Sequence, residues 1–348
     1  MIQIETFVDT LDTHTAGEPT RIVTGGFDRS RIRGGNAADQ RDRFADSQDW
    51  LRELLMCEPR GHDDMFGAVP VEPASVEADL GLFFMDSRGY LDMCGHGTIG
   101  AVTALLETGQ LEEKPTITVE TPAGLVRTRP TIKDGRVAEV AIRNVDSFVY
   151  DTVSITFSSG SQPHTLSVDV VFAGNVFALV DASDVGIPVD PAYVDTFVEH
   201  GLEIRQQVND ELEIRHPHTG QPYRVSIVEF YEHRDGPDRN VVVFGNGQID
   251  RSPCGTGTCA KMTLLHNANE LAVDEPYRYE SVIGTGFTGR ILESTSSDGI
   301  TVTTPEVSGS AHITGSHTFM CDERDDLLGF SLRESEGPRV STDRPYTT

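Results

Sequence analysis

The chain has 348 residues, enough for two domains of ordinary size, and a formal net charge of -27 with only three lysines. Such an acidic surface repels nucleic acid and anionic membranes, and no apolar stretch reaches the roughly 18 residues of a membrane span, so neither partner is expected. The acidic residues are spread along the whole chain, which suggests a halophilic surface adapted to high salt, where mobile ions screen charge repulsion.

The predicted elements alternate between strands and helices. Residues 2–9 have the alternation of a strand and lead into a loop at 13–19, which contains Gly and Pro. Apolar residues at helical spacing predict helices over 37–57 and 190–205. Further strands are predicted at 78–86, 115–121, 136–142, 152–157, 224–230 and 240–245, and around a Gly-Asn turn within 165–182. The polar tail after about residue 334 is predicted to be loosely held.

Two segments of the chain repeat one another. Residues 94–111 (CGHGTIGAVTALLETGQL) and 254–271 (CGTGTCAKMTLLHNANEL) align without gaps and share seven of 18 positions. An aromatic residue ten positions upstream also repeats, as Phe84 and Phe244. This indicates an internal duplication and two similar α/β halves, each contributing one cysteine.

Both repeats place a cysteine at the predicted start of a helix. The unpaired N–H groups and the positive dipole end of a helix favour anions there, so we expect the pKa of each thiol to fall from about 8.5 toward neutrality. The N–H groups of Gly95, His96, Gly255 and Thr256 could hold a substrate carboxylate. Two opposed thiols suit stereoinversion beside a carboxylate, with Cys94 and Cys254 as acid and base and without a cofactor or metal.

The remaining cysteines are predicted to be structural. The count of five is odd and the chain shows no signal peptide, so we expect reduced thiols and a cytoplasmic location. Cys57, Cys259 and Cys321 lack the Cys-Gly-x-Gly-Thr frame, which favours core packing for each of them.

Three other interpretations of the same residues are less favoured. Residues 95–100 fit the G-x-G-x-x-G dinucleotide pattern, but a turn rather than a strand is predicted before them, and Ala260 replaces the third glycine in the second copy. A zinc site from Cys94, His96, Cys254 and Cys259 matches no common spacing. A non-catalytic amino-acid-binding protein would be indicated by the loss of one of the two cysteines, and both are present.

At these residues the chain resembles the proline racemase family. The segments that carry the resemblance run in order along nearly the whole chain, at 14–19, 58–68, 89–96, 244–258 and 309–315. The resemblance implies an α/β (α+β) fold like that of diaminopimelate epimerase. It would consist of two pseudo-symmetric halves, each a curved sheet around a central helix, with the active site in the cleft between them. It also implies a homodimer.

The implied halves can be placed on the sequence. The first half is expected at 1–145 and is rejoined by a C-terminal strand near 318–334. The second half is expected at 146–317, and 335–348 forms the polar tail.

The resemblance also implies roles for residues around the two cysteines. His96 and Asp250 would meet the substrate amine, and Phe66 and Phe244 would line the ring pocket, although ordinary core packing is the alternative for both aromatics.

The substrate remains open within the family. Proline is favoured because two aromatic residues suit an unsubstituted ring, and 4-hydroxyproline, in a 2-epimerase, is the alternative. A trans-3-hydroxy-L-proline dehydratase is less favoured, because such enzymes typically carry Ser or Thr in place of one cysteine. One departure is Val176, where family members tend to have an aromatic residue after Gly-Asn; its smaller side chain is expected to alter the pocket.

Overall fold

A computed structural model describes residues 6–158, 163–215, 220, 222–297, 299–322, 324–325, 327–332 and 339–341. The chain divides into two compact units: unit 1 comprises Met1–Ala141 and Ser310–Thr348, and unit 2 comprises Ile142–Gly309. Both units combine helices with β-sheet, which confirms the predicted mixed α/β class. Among the described residues, no helix is both long enough and apolar enough to cross a membrane.

Unit 1 carries two helices described here, α1 (Ala37–Met56) and α2 (Gly95–Glu107). Its strands are β1 (Thr6–Thr15), β2 (Glu18–Gly25), β3 (Phe66–Val71), β4 (Leu80–Asp86), β5 (Tyr90–Leu91), β6 (Ile117–Thr121), β7 (Gly124–Lys133), β8 (Arg136–Arg143, which runs into unit 2), β20 (Ala311–Cys321), β21 (Gly329–Ser331) and β22 (Arg339–Ser341). Successive pairings give the order β20-β1-β2-β3-β4-β6-β7, in which β2–β3 and β4–β6 are parallel and the others antiparallel.

The two helices of unit 1 use opposite faces of β4. Phe83 and Met85 belong to the apolar cluster formed with α1, whereas Phe84 lies against Gly97 of α2. This follows from the strand geometry, because successive side chains point to opposite faces of a sheet. The predicted helix over 37–57 is confirmed, and a capping box between Asn36 and Asp39 fixes its start.

The loop predicted at 13–19 is wrong. β1 continues to Thr15 and β2 begins at Glu18, so the segment is a hairpin joined by a turn at Ala16 and Gly17. Both turn residues have positive φ, 50° and 102°, and such a turn favours glycine because glycine has no Cβ to clash. Gly17 therefore marks a tight turn between strands, whereas Pro19 lies in β2 opposite His14.

Unit 2 carries α3 (Val194–Glu211) and α4 (Gly255–Asn267) within its described part. Its strands are β9 (Ser147–Phe157), β10 (His164–Phe172), β11 (Val176–Asp181), β12 (Ile214–Arg215), β13 (Pro222–Tyr223), β14 (Ile227–Glu232), β15 (Asp238–Phe244), β16 (Gln248–Asp250), β17 (Tyr277–Ser281), β18 (Gly286–Ser297) and β19 (Ile300–Gly309). The strand pair predicted within 165–182 is confirmed. The helix predicted over 190–205 begins at Val194, four residues later, and ends at Glu211. A single 3-10 turn at Pro191–Tyr193 precedes it.

The strands of unit 2 form a closed ring around α4. Pairings run β9-β10-β11-β14-β15-β17-β18-β19, and β19 returns to β9 through Val302 with Phe148 and Thr303 with Ser147. α4 packs against β9, β10, β11, β18 and β19, and its residues 255–263 are all buried. The ring therefore fixes the start of α4, where the second cysteine lies.

The predicted polar tail lies mostly outside the described residues. The part that is described, β22, pairs antiparallel with β21.

Candidate active site

Cys94 is the N-cap residue of α2, as predicted. Its backbone is extended (φ -148°, ψ 122°), and its Sγ accepts a hydrogen bond from the N–H of Gly97 at 3.2 Å. The hydroxyl of Thr98 donates to the carbonyl of Cys94 at 2.7 Å and closes the first turn. A side chain that caps a helix in this way lies directly at the unpaired N–H groups of the first turn.

Cys254 is the N-cap residue of α4, as predicted, and it makes the same two contacts as Cys94. Its Sγ accepts from the N–H of Gly257 at 3.4 Å, and Thr258 donates to the carbonyl of Cys254 at 2.8 Å. The repeated Cys-Gly-x-Gly-Thr segment therefore makes the same two capping contacts in each unit, although the backbone is extended at Cys94 and has φ 61° at Cys254. The shared Gly and Thr have the same contacts in both copies.

In unit 1 the structure brings together Cys94, His96 and Phe66. Nδ1 of His96 lies 3.3 Å from the Cys94 Sγ, and the Phe66 ring meets the imidazole edge to face, with 4.6 Å between ring centroids. The hydroxyl of Thr15 donates to the carbonyl of His96 at 2.9 Å. Burial lowers the pKa of His96 to about 3, so the imidazole is neutral at ordinary pH.

In unit 2 a chain of hydrogen bonds links Asp250 to Cys254. Oδ1 of Asp250 accepts from both the N–H and the hydroxyl of Ser252, at 2.8 and 2.7 Å, and the Ser252 hydroxyl oxygen accepts from the N–H of Cys254 at 3.1 Å. Cys254 has φ 61°, a region that favours glycine, and the Ser252 contact holds the backbone there. Asp250 thus reaches the cysteine through Ser252, which lies in the 244–258 segment but is not among the predicted site residues.

The predicted lowering of the thiol pKa is wrong for Cys254. Burial, followed by the negative charges of Asp250 and Glu229, raises the pKa of this thiol well above its ordinary value, and the Gly257 N–H and Thr256 only partly oppose this. Burial also raises the pKa of Asp250 to about 6. The N–H donors at the start of the helix favour the thiolate less than the loss of solvent and the nearby carboxyl groups disfavour it.

The remaining predicted residues lie close to these groups within their own units. Gly95 and Gly255 are the buried first residues of α2 and α4, and Thr256 places its hydroxyl 3.7 Å from the Cys254 Sγ. Phe244 is the half-buried last residue of β15, where it pairs with Gln248 two residues before Asp250.

The segment that carries the Val176 departure also approaches the start of α4. A Cβ on Gly174 would lie 4.0 Å from the Cγ2 atom of Thr256. Val176 itself is buried in the core of unit 2, at the beginning of β11.

The other cysteines differ in their surroundings. Cys259 is fully buried, as expected of a core residue, whereas Cys57 and Cys321 are half-buried. Cys57 ends α1, and Cys321 packs beside the apolar cluster of unit 1. In the part of the chain that the structure describes, no three His, Cys, Asp or Glu side chains are grouped closely enough to hold a metal ion.

Comparisons with known proteins define the family. The proline racemase family profile matches residues 10–330. The proline racemase of Acetoanaerobium sticklandii is 42% identical over 332 residues, which cover 93% of this chain and 98% of the relative. The trans-3-hydroxy-L-proline dehydratase of Bacillus cereus is 37% identical over 339 residues, which cover 95% and 100%.

A solved structure has the same fold. A hydroxyproline epimerase from Agrobacterium vitis with bound trans-4-hydroxy-L-proline matches with a TM-score of 0.83 and 29% identity, over 94% of this chain and 96% of the epimerase. The chain belongs to the proline racemase family and is an isomerase of that family. The predicted resemblance is confirmed, and a non-catalytic binding protein is no longer an alternative.

Proposed function

We propose that the protein racemises proline by a two-base mechanism in which Cys94 and Cys254 act on opposite faces of the α-carbon. The observation that carries this proposal is the repeated capped turn, in which the capping atom is a thiol sulfur both times. A binding site for a carboxylate needs the N–H groups of such a turn, but it does not need a thiol beside them. Two thiols in equivalent positions favour proton transfer.

The reaction balances without an external reagent. One thiolate takes the α-proton of proline, so a C–H bond breaks and an S–H bond forms. The other thiol gives its proton to the opposite face, so an S–H bond breaks and the C–H bond of the other enantiomer forms. Backbone N–H groups at Gly95, His96, Gly255 and Thr256 would hold the carboxylate, and would stabilise the charge that moves onto it when the α-proton leaves.

His96 and Asp250 would hold the ring nitrogen of the substrate. A neutral imidazole can accept a hydrogen bond from the ammonium group, and so can a carboxylate. The low pKa of His96 favours this role, because a protonated imidazole would repel the ammonium group. Above its pKa of about 6, Asp250 would also supply the opposite charge.

Proline is the preferred substrate because Phe66 gives the site an apolar wall. The ring of Phe66 is buried against His96, and contact with it favours methylene groups over a hydroxyl group. The presence of both thiols supports racemisation over dehydration. Epimerisation of 4-hydroxyproline at carbon 2 is the second candidate, favoured by the hydroxyproline bound to the Agrobacterium vitis epimerase.

Proton NMR in heavy water tests this function. L-Proline and trans-4-hydroxy-L-proline are incubated separately with the enzyme, and loss of the Cα–H signal is followed together with optical rotation. We expect the proline signal to disappear and its rotation to fall to zero. Exchange confined to hydroxyproline would move the protein to the epimerase group, and no exchange with either compound would refute the proposal.

Three variants complete the test. Cys94→Ser and Cys254→Ser should each abolish racemisation, because each removes one of the two bases. Cys321→Ser is the matched control, since that half-buried cysteine lies on β20, outside both capped turns. It should retain the activity of the wild type.

A further inference from the structure

A second carboxyl group lies under the turn that carries Cys254. Glu229, in the middle of β14, is fully buried, and its Oε1 accepts a hydrogen bond from the hydroxyl of Tyr279 at 2.7 Å. Its other oxygen, Oε2, lies so close to α4 that a Cβ on Gly257 would come within 2.2 Å of it. Among the residues described, no donor makes a hydrogen bond to this Oε2.

The position of the Glu229 carboxyl group matters because Gly257, which it borders, contacts the Cys254 sulfur. The N–H of Gly257 is the group that donates to the Cys254 sulfur. The carboxyl group therefore borders the backbone segment whose N–H group donates to the thiol sulfur. The amide of Asn240 is also near: it donates to the carbonyl of Pro253 at 2.8 Å, and its proximity lowers the pKa of Glu229, against the larger effect of burial.

Glu229 has charged and titratable neighbours on several elements. They are Cys254, Cys259 and Lys261 from the α4 segment, Tyr277 and Tyr279 from β17, Asp250 from β16, and Tyr231 from its own strand. Burial raises the pKa of Glu229 to about 7, against the opposing effects of Tyr279 and Lys261. A substantial part of the population therefore carries a negative charge beside Cys254 at neutral pH.

Among the described residues of unit 1, the atoms nearest to the corresponding glycine do not belong to a carboxyl group. A Cβ on Gly97 would meet the rings of Phe66 and Phe84 and the Cys94 sulfur, each at 3.2 Å. Aromatic rings thus occupy the space beside the first capped turn, whereas a carboxyl oxygen occupies it beside the second. The two turns have the same cap and different electrostatic surroundings.

We propose that Glu229 is a positioning residue for the proton of Cys254: its buried carboxyl group adds to burial and to Asp250 in disfavouring the thiolate, which helps to keep this thiol protonated before substrate binds. The consequence for turnover rests on the proposed function, in which Cys254 must both give and take a proton. A thiol that holds its proton in the resting enzyme is ready to act first as the acid. It then becomes a strong base once it has given that proton away.

The test measures the pKa of the Cys254 thiol through its reactivity, and it needs no substrate. The rate of alkylation of Cys254 by iodoacetamide is followed against pH by mass spectrometry, with fragment ions separating it from Cys259. Only the thiolate reacts, so the midpoint of the profile reports the pKa. Glu229→Gln keeps the shape of the side chain and removes its charge, and should move the midpoint to lower pH by about one unit or more.

Two further variants separate charge from packing. Glu229→Asp keeps the charge and should hold the midpoint near that of the wild type. Glu229→Met also removes the charge, so it should lower the midpoint as Glu229→Gln does, and it serves if Glu229→Gln does not fold. Glu232→Gln, at the end of the same strand and paired with Arg234, is the control and should change nothing.

A folded Glu229→Gln protein with an unchanged midpoint would overturn the proposal. Equal shifts in Glu229→Gln and Glu229→Asp would also overturn it, because they would indicate a packing effect. Neither result depends on turnover of proline, so a failure here is distinct from a failure of the proposed function.

Discussion

His96 shows how burial changes the chemistry of a single residue. In the folded protein its pKa is lowered to about 3, whereas an unfolded chain has the ordinary value of 6.5. Between these two values the unfolded state binds a proton that the folded state does not. The stability contribution of neutral His96 is therefore complete above about pH 6.5 and is lost progressively as the pH falls toward 3.

His96→Gln tests this difference, because glutamine does not titrate. Between about pH 8 and pH 5 the wild type should lose about 2 kcal/mol of unfolding free energy more than the variant. Urea unfolding of both proteins at the two pH values gives this comparison. His164→Gln, which replaces an exposed histidine, should follow the wild type. Parallel losses in wild type and His96→Gln would mean that folding does not lower the pKa of His96.

At the scale of elements, α2 and α4 begin with the same turn but in different surroundings. A Cβ on Gly257 would come 2.2 Å from a carboxyl oxygen inside a closed ring of strands, whereas a Cβ on Gly97 would meet its neighbours at 3.2 Å. The first separation is a severe overlap, and the second is a tight contact that small movements can relieve. Overpacking of a buried site typically costs about 1–3 kcal/mol.

Gly257→Ala should therefore destabilise the protein more than Gly97→Ala does. We expect a loss at the upper end of the range of about 1–3 kcal/mol for Gly257→Ala and at its lower end for Gly97→Ala. Urea unfolding of the two variants and the wild type measures both. Equal losses would show that Glu229 moves aside without cost.

The elements that the sequence predicts well are those whose signals are local. Both capped turns follow from five residues in a row, and the strand pair within 165–182 follows from alternation around a Gly-Asn turn. Glu229 could not be recognised in the same way, because strand pairing and burial bring it near Cys254. Ser252 is only two residues from Cys254, but its contact depends on how the folded turn directs its hydroxyl. The pKa prediction failed for the same reason, since loss of solvent depends on the whole fold.

At the scale of the whole molecule, the most unusual property is the large negative net charge. The chain has 55 acidic and 28 basic residues, and we propose that this balance is an adaptation to high salt. Electrostatic repulsion reaches about 10 Å at 0.1 M salt and only about 3 Å at 1 M. Raising the salt concentration should therefore remove most of the repulsion between acidic side chains that do not touch.

The melting temperature should rise with potassium chloride, by about 5–10 °C between about 0.1 and 1 M. Circular dichroism at a series of salt concentrations measures this rise. Sucrose is the control, because it favours compact states without screening charge. A protein equally stable in dilute buffer, or stabilised as much by sucrose, would argue against an adaptation based on charge.

The ring of strands in unit 2 also has a consequence for how the chain folds. The ring closes through residues 147–148 and 302–303, which are about 155 positions apart, and contacts so distant in sequence form slowly. α4, which is rich in glycine and threonine, has little tendency to be helical alone and depends on that enclosure. We therefore expect the Cys254 turn to be among the last parts of unit 2 to become ordered, so an incomplete chain that ends before β19 would lack it.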